Sequence, residues 1–213
     1  NCPAKFDRNI NRGRRWSAAR AYLHPVMNRP NLHVRTLAMT TRILFEGTRA
    51  VGVEYTQLGA THTVRAGEVV LCGGAINTPQ LLQLSGIGDA QHLQSLGIPV
   101  VADLPGVGAN LQDHLQVRPS YRCQGVETLN EVANSHLLGA REFGKYMINR
   151  SGALSAGVYR AGAFLSLASE AAWPDVQIHF GLVSFDKPHQ PPHPFPGITL
   201  SACILRPYSR GRI

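Results

Sequence analysis

Residues 68–88 read Glu68-Val69-Val70-Leu71-Cys72-Gly73-Gly74-Ala75-Ile76-Asn77-Thr78-Pro79-Gln80-Leu81-Leu82-Gln83-Leu84-Ser85-Gly86-Ile87-Gly88. The apolar run ending at Cys72 is continuous rather than alternating, as expected of a strand buried on both faces of a parallel sheet. Gly73-Gly74-Ala75 follows as a turn. Thr78-Pro79 then predicts the start of a helix, with Thr as N-cap and Pro at the first helical position. Leu81, Leu82 and Leu84 give that helix a core face, and Ser85-Gly86 ends it. A strand, a glycine turn and a helix in this order bring free backbone N–H groups and the positive helix end to a strand's carboxyl edge. That arrangement suits an anion or the close approach of a dinucleotide. Many α/β proteins nevertheless carry such a turn with no ligand. The dinucleotide fingerprint GxGxxG is absent from all 213 residues. Gly106-Val107-Gly108 lacks its third glycine and follows no buried strand.

Upstream, Ser17 is expected to cap a helix running to about Met27, broken by Pro25 and ended by Pro30. Leu32-His33-Val34-Arg35-Thr36 reads as a strand, and so do Met39 to Phe45, Ala50 to Tyr55 and His62 to Arg65. Gly47 and Gly59 mark the turns of this small antiparallel meander. Downstream, Asp89 caps a short helix that Gly97 ends. A strand from Val117 to Cys123, an amphipathic helix from Leu137 to Asn149, and strands at Val176 to Phe180 and Ile198 to Leu205 complete the reading. Phe185 to Gly197 is a proline-rich loop. A domain boundary is placed near residue 115, and no internal repeat is visible.

Composition narrows the function. Hydrophobic residues are 44% of the chain and charged ones 16%, which excludes a disordered chain and leaves ample material for a core. No apolar run approaches the ~18 residues that cross a bilayer. Residues 1–30 hold seven cations (Lys5, Arg8, Arg12, Arg14, Arg15, Arg20, Arg29) against Asp7, so this segment supplies +6 of the net +8. Such a cluster can neutralise phosphates, as a nucleic-acid-binding arm does. It can equally form a solvated face, and the helix-forming run Ala18-Ala19-Arg20-Ala21 with few interleaved aromatics favours the latter. No nucleic-acid partner is expected. Cys2, Cys72, Cys123 and Cys203 have neither disulfide-scaffold nor zinc spacing, and Cys72 and Cys203 read as buried structural thiols. No metal site is expected. Adjacent Asp113 and His114 point opposite ways if extended, so they form no relay, and His114 reads as a capping or core residue. His189 and His193 have no acidic partner beyond Asp186. His179, alternating with Ile178 and Phe180, faces either a sheet pocket or solvent.

Residues 74–88 resemble throughout the second signature of the glucose–methanol–choline (GMC) oxidoreductases. The similarity continues through Gly13-Arg14-Arg15-Trp16-Ser17, Arg29-Pro30-Asn31-Leu32, Ala50-Val51-Gly52-Val53-Glu54-Tyr55, Leu104-Pro105-Gly106-Val107-Gly108 and Asn110-Leu111-Gln112-Asp113-His114. It ends with Leu205-Arg206-Pro207-Tyr208-Ser209-Arg210-Gly211, and is strongest to choline dehydrogenase-like alcohol dehydrogenases. The resemblance implies an α/β plus α+β fold. Residues 1–115 would be the C-terminal part of a Rossmann-like FAD-binding domain with a β-meander. Residues 116–213 would begin an antiparallel-sheet substrate domain.

It further implies an FAD enzyme that oxidises the CH–OH group of a small-molecule alcohol by hydride transfer to flavin N5. A flavin-bearing oxidase or lyase of the family, or a non-enzymatic basic binding module, are the alternatives. Thr40 would present its backbone to the FAD adenine, and Gly73, Gly74 and Ala75 would lie beside the adenosine ribose. No catalytic residue is expected within the chain. The glycine fingerprint should precede Asn1 and the catalytic His should follow Ile213, so the chain reads as an internal piece that alone neither catalyses nor holds FAD tightly. Arg160 stands where relatives often carry Glu, which changes the polarity of the substrate side. The expected location is cytoplasmic or peripheral on a membrane.

Overall fold

The computed structural model describes residues 2–167, 173–187 and 189–213. In chain order the strands are β1 (Cys2–Lys5), β2 (Ile10–Asn11), β3 (Arg14–Arg15), β4 (Met39–Glu46), β5 (Arg49–Gln57) and β6 (Ala60–Arg65). After helix α1 (Gly74–Leu84) come β7 (Ile87–Gly88), α2 (Ala90–Ser95), β8 (Ala102–Asp103), β9 (Gln116–Val117) and β10 (Ser120–Arg122). Helices α3 (Leu129–Asn134) and α4 (His136–Asn149) precede β11 (Tyr159–Leu165), β12 (Val176–Gly181) and β13 (Gly197–Ile204). They form two units, each built from two stretches of chain: residues 1–32 with 114–207, and residues 33–113 with 208–213. The sequence reading instead divides the chain once, near residue 115.

In the unit of residues 33–113, β4, β5 and β6 form the expected meander, antiparallel throughout. Its turns fall at Gly47 and Gly59, as their freedom at positive φ allows. α1 is locked to this sheet by one hydroxyl. Ser85 Oγ, buried at the helix end, accepts from Ile43 N at 2.9 Å and donates to the Leu81 carbonyl at 2.6 Å. Asp89 caps α2 as expected, accepting from His92 N at 2.8 Å.

Three expectations fail here. Leu32 to Thr36 is not a strand. Residues 68–72 are not a buried parallel strand either: among the described residues none pairs with them, and Val70 is 74% exposed and Cys72 exposed. A strand is made by its ladder partners, so an apolar run without them stays an open segment. The sole parallel pair among the described residues is β7 with β8. Finally, α1 begins at Gly74 rather than at Pro79, which lies inside the helix. Pro79 removes the N–H that would bond the Ala75 carbonyl and crowds that oxygen, a cost offset by the packing of the rest of the helix.

In the other unit, one antiparallel sheet runs β1-β11-β12-β13-β10, with β9 also paired to β13. Burial alternates along β13, with Gly197, Thr199, Ser201 and Cys203 inward. Pro119 interrupts the strand expected from Val117 to Cys123, leaving β9 and β10. The expected helix after Ser17 becomes a wide turn at Ala19–Leu23 and a tight one at His24–Val26. β1, the β2–β3 hairpin and β11 have no counterpart in the sequence reading. Thr128 and Glu131 form a reciprocal cap at the start of α3. No helix among the described residues is long and apolar enough to cross a membrane.

α4 turns a carboxylate inward. Glu142 is buried, and its oxygens meet Lys145 Nζ at 2.6 Å, the Ala153 N–H at 2.7 Å and Arg141 Nε at 3.2 Å. The hydrogen bond from Lys145, then that from Ala153, hold its pKa down at about 2 against the opposing effect of burial. A carboxylate whose folded pKa is depressed stabilises the fold above its unfolded pKa of about 4.3, and loses that contribution as pH falls towards the folded value. Glu142→Gln is therefore expected to lower the urea midpoint at pH 7, and the gap from the parent to close between about pH 4 and pH 2. A gap independent of pH in denaturation curves would contradict this.

Candidate cofactor-binding site

The glycine turn that the sequence singles out, where α1 in fact begins, opens onto a groove of about 560 Å³ in the meander unit. Val53 and Val64 from the meander, Val69 to Leu71 from the open segment, and Leu81 from α1 give it apolar walls. Thr40 from β4 and Gly73 at the N-cap of α1 both line it, although 33 positions apart in sequence. Thr40 sits at an irregularity in the β4–β5 ladder, where pairing skips from Thr40–Tyr55 to Arg42–Glu54. That shift bends the strand and leaves Thr40 exposed at the groove. Asn77 and Thr78, which the sequence reading did not single out as site residues, also face it.

At the groove's end no side chain caps α1, so its first N–H groups remain available to an anion or a polar ligand edge. Gly73 leaves close quarters: a Cβ there would lie 3.2 Å from Asn77 Cβ and from the Thr78 nitrogen. Gly74 has φ +80° and open space around it. Ala75 does not line this groove. It lies with Pro79, Asn110 and Leu111 on a second recess of about 270 Å³. The four residues picked from the sequence thus converge only in part: Thr40 and Gly73 share a groove, Gly74 adjoins it, and Ala75 turns to the other recess. The glycine turn at 73–75 marked the place, although the helix begins at that turn rather than at Pro79 and no strand precedes it, whereas nothing in local sequence could show that β4 returns to it.

The groove has the dimensions and chemistry of a site for a flat heteroaromatic ring with an attached ribose. Its walls are aliphatic, its one charged lining residue is Glu68, and its end offers main-chain donors. An adenosine group fits these residues.

The histidines lie elsewhere. His179 on β12 packs edge-on against Phe6 and Tyr159, with ring centroids 5.5 and 5.7 Å away, in the sheet unit. His193 is held by Ser184 Oγ and by Asp186 Oδ1, each at 3.0 Å. Ser184 is fully buried and in turn bonded to Asn130, so this chain of contacts pins the proline loop and presents no accessible nucleophile. Pro188 of that loop lies outside the described residues. His114 is exposed, contrary to a core role. No group of three metal-ligating side chains occurs among the described residues, and Cys72, Cys123 and Cys203 are free.

Comparison with known proteins identifies the family. The family model described as GMC oxidoreductase matches residues 2–116. An oxygen-dependent choline dehydrogenase of Staphylococcus haemolyticus is 46% identical over 178 residues, covering 82% of this chain and 31% of that protein. The chain thus spans about a third of the length of such relatives. An FAD-dependent oxidoreductase from Chaetomium thermophilum superposes with a TM-score of 0.82 at 25% identity, over 95% of this chain and 42% of its own. Pyridoxine 4-oxidase from Mesorbium loti superposes at 0.76 and 26% identity, over 99% of this chain and 38% of its own. The chain belongs to the GMC oxidoreductase family, which includes the FAD-dependent oxidoreductase it superposes on.

Proposed function

We propose that the protein is an FAD-dependent oxidoreductase acting on the CH–OH group of a small alcohol. The observation that carries this reading is the uncapped start of α1 at Gly73-Gly74, opening beside Thr40 onto an apolar groove suited to adenosine. Residues 33–113 with 208–213 would contribute the latter part of a Rossmann-like cofactor domain. The antiparallel sheet of the other unit would contribute one wall of the substrate domain. The bound flavin supplies a hydride acceptor for the carbon of the alcohol. This chain's own part is to bind and orient. With FAD bound, the Thr40 main chain would meet the adenine edge, the free N–H groups of α1 would serve the ribose side, and the aliphatic walls would exclude water from the ring. No side chain of this chain is assigned to proton abstraction.

Arg160 qualifies the substrate. It is the extra residue of a bulge in β11, between Tyr159 and Ala161, where a strand re-aims a side chain. Its Nε reaches the Gly157 carbonyl at 3.4 Å; a guanidinium on the substrate side would disfavour a quaternary-ammonium alcohol and favour a neutral or anionic one. A protein carrying this chain at the full length of its relatives is expected to hold FAD, and its flavin spectrum to bleach anaerobically with an alcohol, whereas these 213 residues alone are expected to hold FAD weakly and not to turn over. Neutral, anionic and quaternary-ammonium alcohols form the panel, and oxygen uptake during turnover separates oxidase from dehydrogenase. In that longer protein, failure of every alcohol to bleach a bound flavin would refute the activity, and absence of flavin would refute the cofactor site.

A further inference from the structure

The proline-rich loop between β12 and β13 closes on a neck made by two residues, Ser184 and His193. The His193 N–H donates to the Ser184 carbonyl at 3.0 Å, and the His193 ring meets Ser184 Oγ through Nδ1 at 3.0 Å. α3 holds the same neck from the side. Asn130, fully buried, accepts from Ser184 N at 2.8 Å, and that bond fixes which end of its amide is the oxygen. Its nitrogen therefore donates to Ser184 Oγ at 2.8 Å and to the Phe195 carbonyl at 2.9 Å. Asn134 adds a bond to the His193 carbonyl at 2.9 Å.

The protons of this neck follow from its donors and acceptors. Asp186 Oδ1 lies 3.0 Å from His193 Nε2, and a carboxylate only accepts, so Nε2 carries a proton. In a neutral ring Nδ1 is then a lone pair, and the Ser184 hydroxyl donates to it while accepting from Asn130. Every group is satisfied. A second proton, which imidazole takes up in mildly acidic solution, would sit on Nδ1 and face Ser184 Oγ. The hydroxyl would then lose its acceptor. Among the described residues its hydrogen bonds go only to Asn130 and His193, and Gly197 packs so closely that a Cβ there would overlap Oγ.

The charges around the ring do not reverse this. Asp186 is 80% exposed, so its attraction for an imidazolium is small beside a fully buried hydroxyl left without an acceptor. From β10, Arg122 lies over the Phe195 ring, which stacks on His193 with centroids 4.8 Å apart, and its positive charge opposes a second one. Glu131 of α3 is turned to the Thr128 N–H of its own cap. β13 brings Gly197 and Thr199 to the neck, neither ionisable. Lys187 and His189, on the loop itself, are exposed and make no ion pair among the described residues.

We propose that His193 is a proton-operated latch on this loop, fastening its neck when neutral and releasing it when protonated. The test is hydrogen–deuterium exchange, read by mass spectrometry on peptides spanning residues 182–196, in a protein carrying this chain at the full length of its relatives. Intrinsic amide exchange rates are divided out at each pH. Protection of the neck is expected to fall about tenfold or more between about pH 7.5 and about pH 5.5, while peptides of β4 and β5 keep theirs. His193→Asn supplies an acceptor near the place of Nδ1 but takes up no proton, so its protection should be the same at both pH values. Asp186→Asn removes the opposing carboxylate from an exposed position and should deepen the loss. The proposal is overturned if the parent keeps its protection at the lower pH, or if His193→Asn loses protection on acidification as the parent does. It is equally overturned if Asp186→Asn abolishes the loss, since the titrating group would then be Asp186.

Discussion

Gly86→Ala is expected to lower the thermal midpoint of the meander unit by about 10 °C or more. Gly86 ends α1, where its N–H bonds the Gln83 carbonyl at 3.0 Å and its own carbonyl accepts from Val101 N at 2.8 Å and Ala102 N at 3.2 Å. It holds φ at +86°, and an added Cβ would overlap the Pro99 carbonyl oxygen and lie 2.9 Å from Val101 Cγ2. Left-handed backbone costs an alanine ~1–2 kcal/mol. Forcing a methyl against a main-chain oxygen that is itself fixed by structure adds ~1–3 kcal/mol. The sum, about 3 kcal/mol, acts where helix, strand β7 and the returning loop meet, so no single element can move away to relieve it. Gly67→Ala is the control. That glycine has ordinary backbone and nothing within 4 Å of an added Cβ, and its midpoint should stay at the parent value. Circular dichroism melts decide the matter, and equal midpoints for the two variants would refute the steric argument.

The fold was legible in the sequence where the signal is local. Gly47 and Gly59 punctuate alternating runs, so β4, β5 and β6 could be read directly, and Asp89 and Gly97 bracket α2. It failed where structure depends on a distant partner. β1 is a strand because Pro3 and Ala4 lie against Ala163 and Gly162, some 160 positions away, and nothing in Cys2 to Lys5 alone announces it. β11 hides in a Gly/Ala-rich segment with weak alternation, being defined by β1 and β12 on either side. Residues 68–72 show the converse error. Their hydrophobicity states that burial would be favourable, but it cannot say what does the burying. The Thr78-Pro79 pair misled for a different reason: it is a good start signal, but the helix begins earlier, at glycine, and tolerates the proline at the cost of the Ala75 bond.

The same distinction governs α4. Its periodicity predicts an amphipathic helix correctly, yet not which side faces in. The Glu142 cluster decides that, because the Ala153 N–H and the Lys145 ammonium reach the carboxylate in its buried position. Leu138 and Tyr146 share the inward side with that carboxylate and are half-buried, while Leu137, Phe143, Met147 and Ile148 are left exposed.

Gly73→Leu is expected to weaken FAD binding by about a hundredfold, roughly 2.8 kcal/mol, without unfolding the protein. The substitution separates ligand space from backbone strain. Gly73 has φ −77° and ψ −2°, a conformation that any residue adopts, so the helix start should survive it. What changes is the groove. A Cβ already stands 3.2 Å from Asn77 Cβ, Thr78 N and Thr78 Oγ1, and the rest of a leucine must project into the space assigned to the adenosine. Thr40→Val is the complementary variant. If the Thr40 contact is made by main chain, a β-branched side chain of equal size leaves the affinity within about twofold of the parent, since the strand geometry is unchanged. Titration of flavin-depleted protein by fluorescence quenching reads both. Full flavin affinity in Gly73→Leu would show that this groove does not hold the cofactor, whereas a large loss in Thr40→Val would assign the contact to the hydroxyl instead. The two results are independent, because Thr40 belongs to the sheet and Gly73 to the helix, and the Ser85 hydrogen bonds that join these elements are untouched by either change.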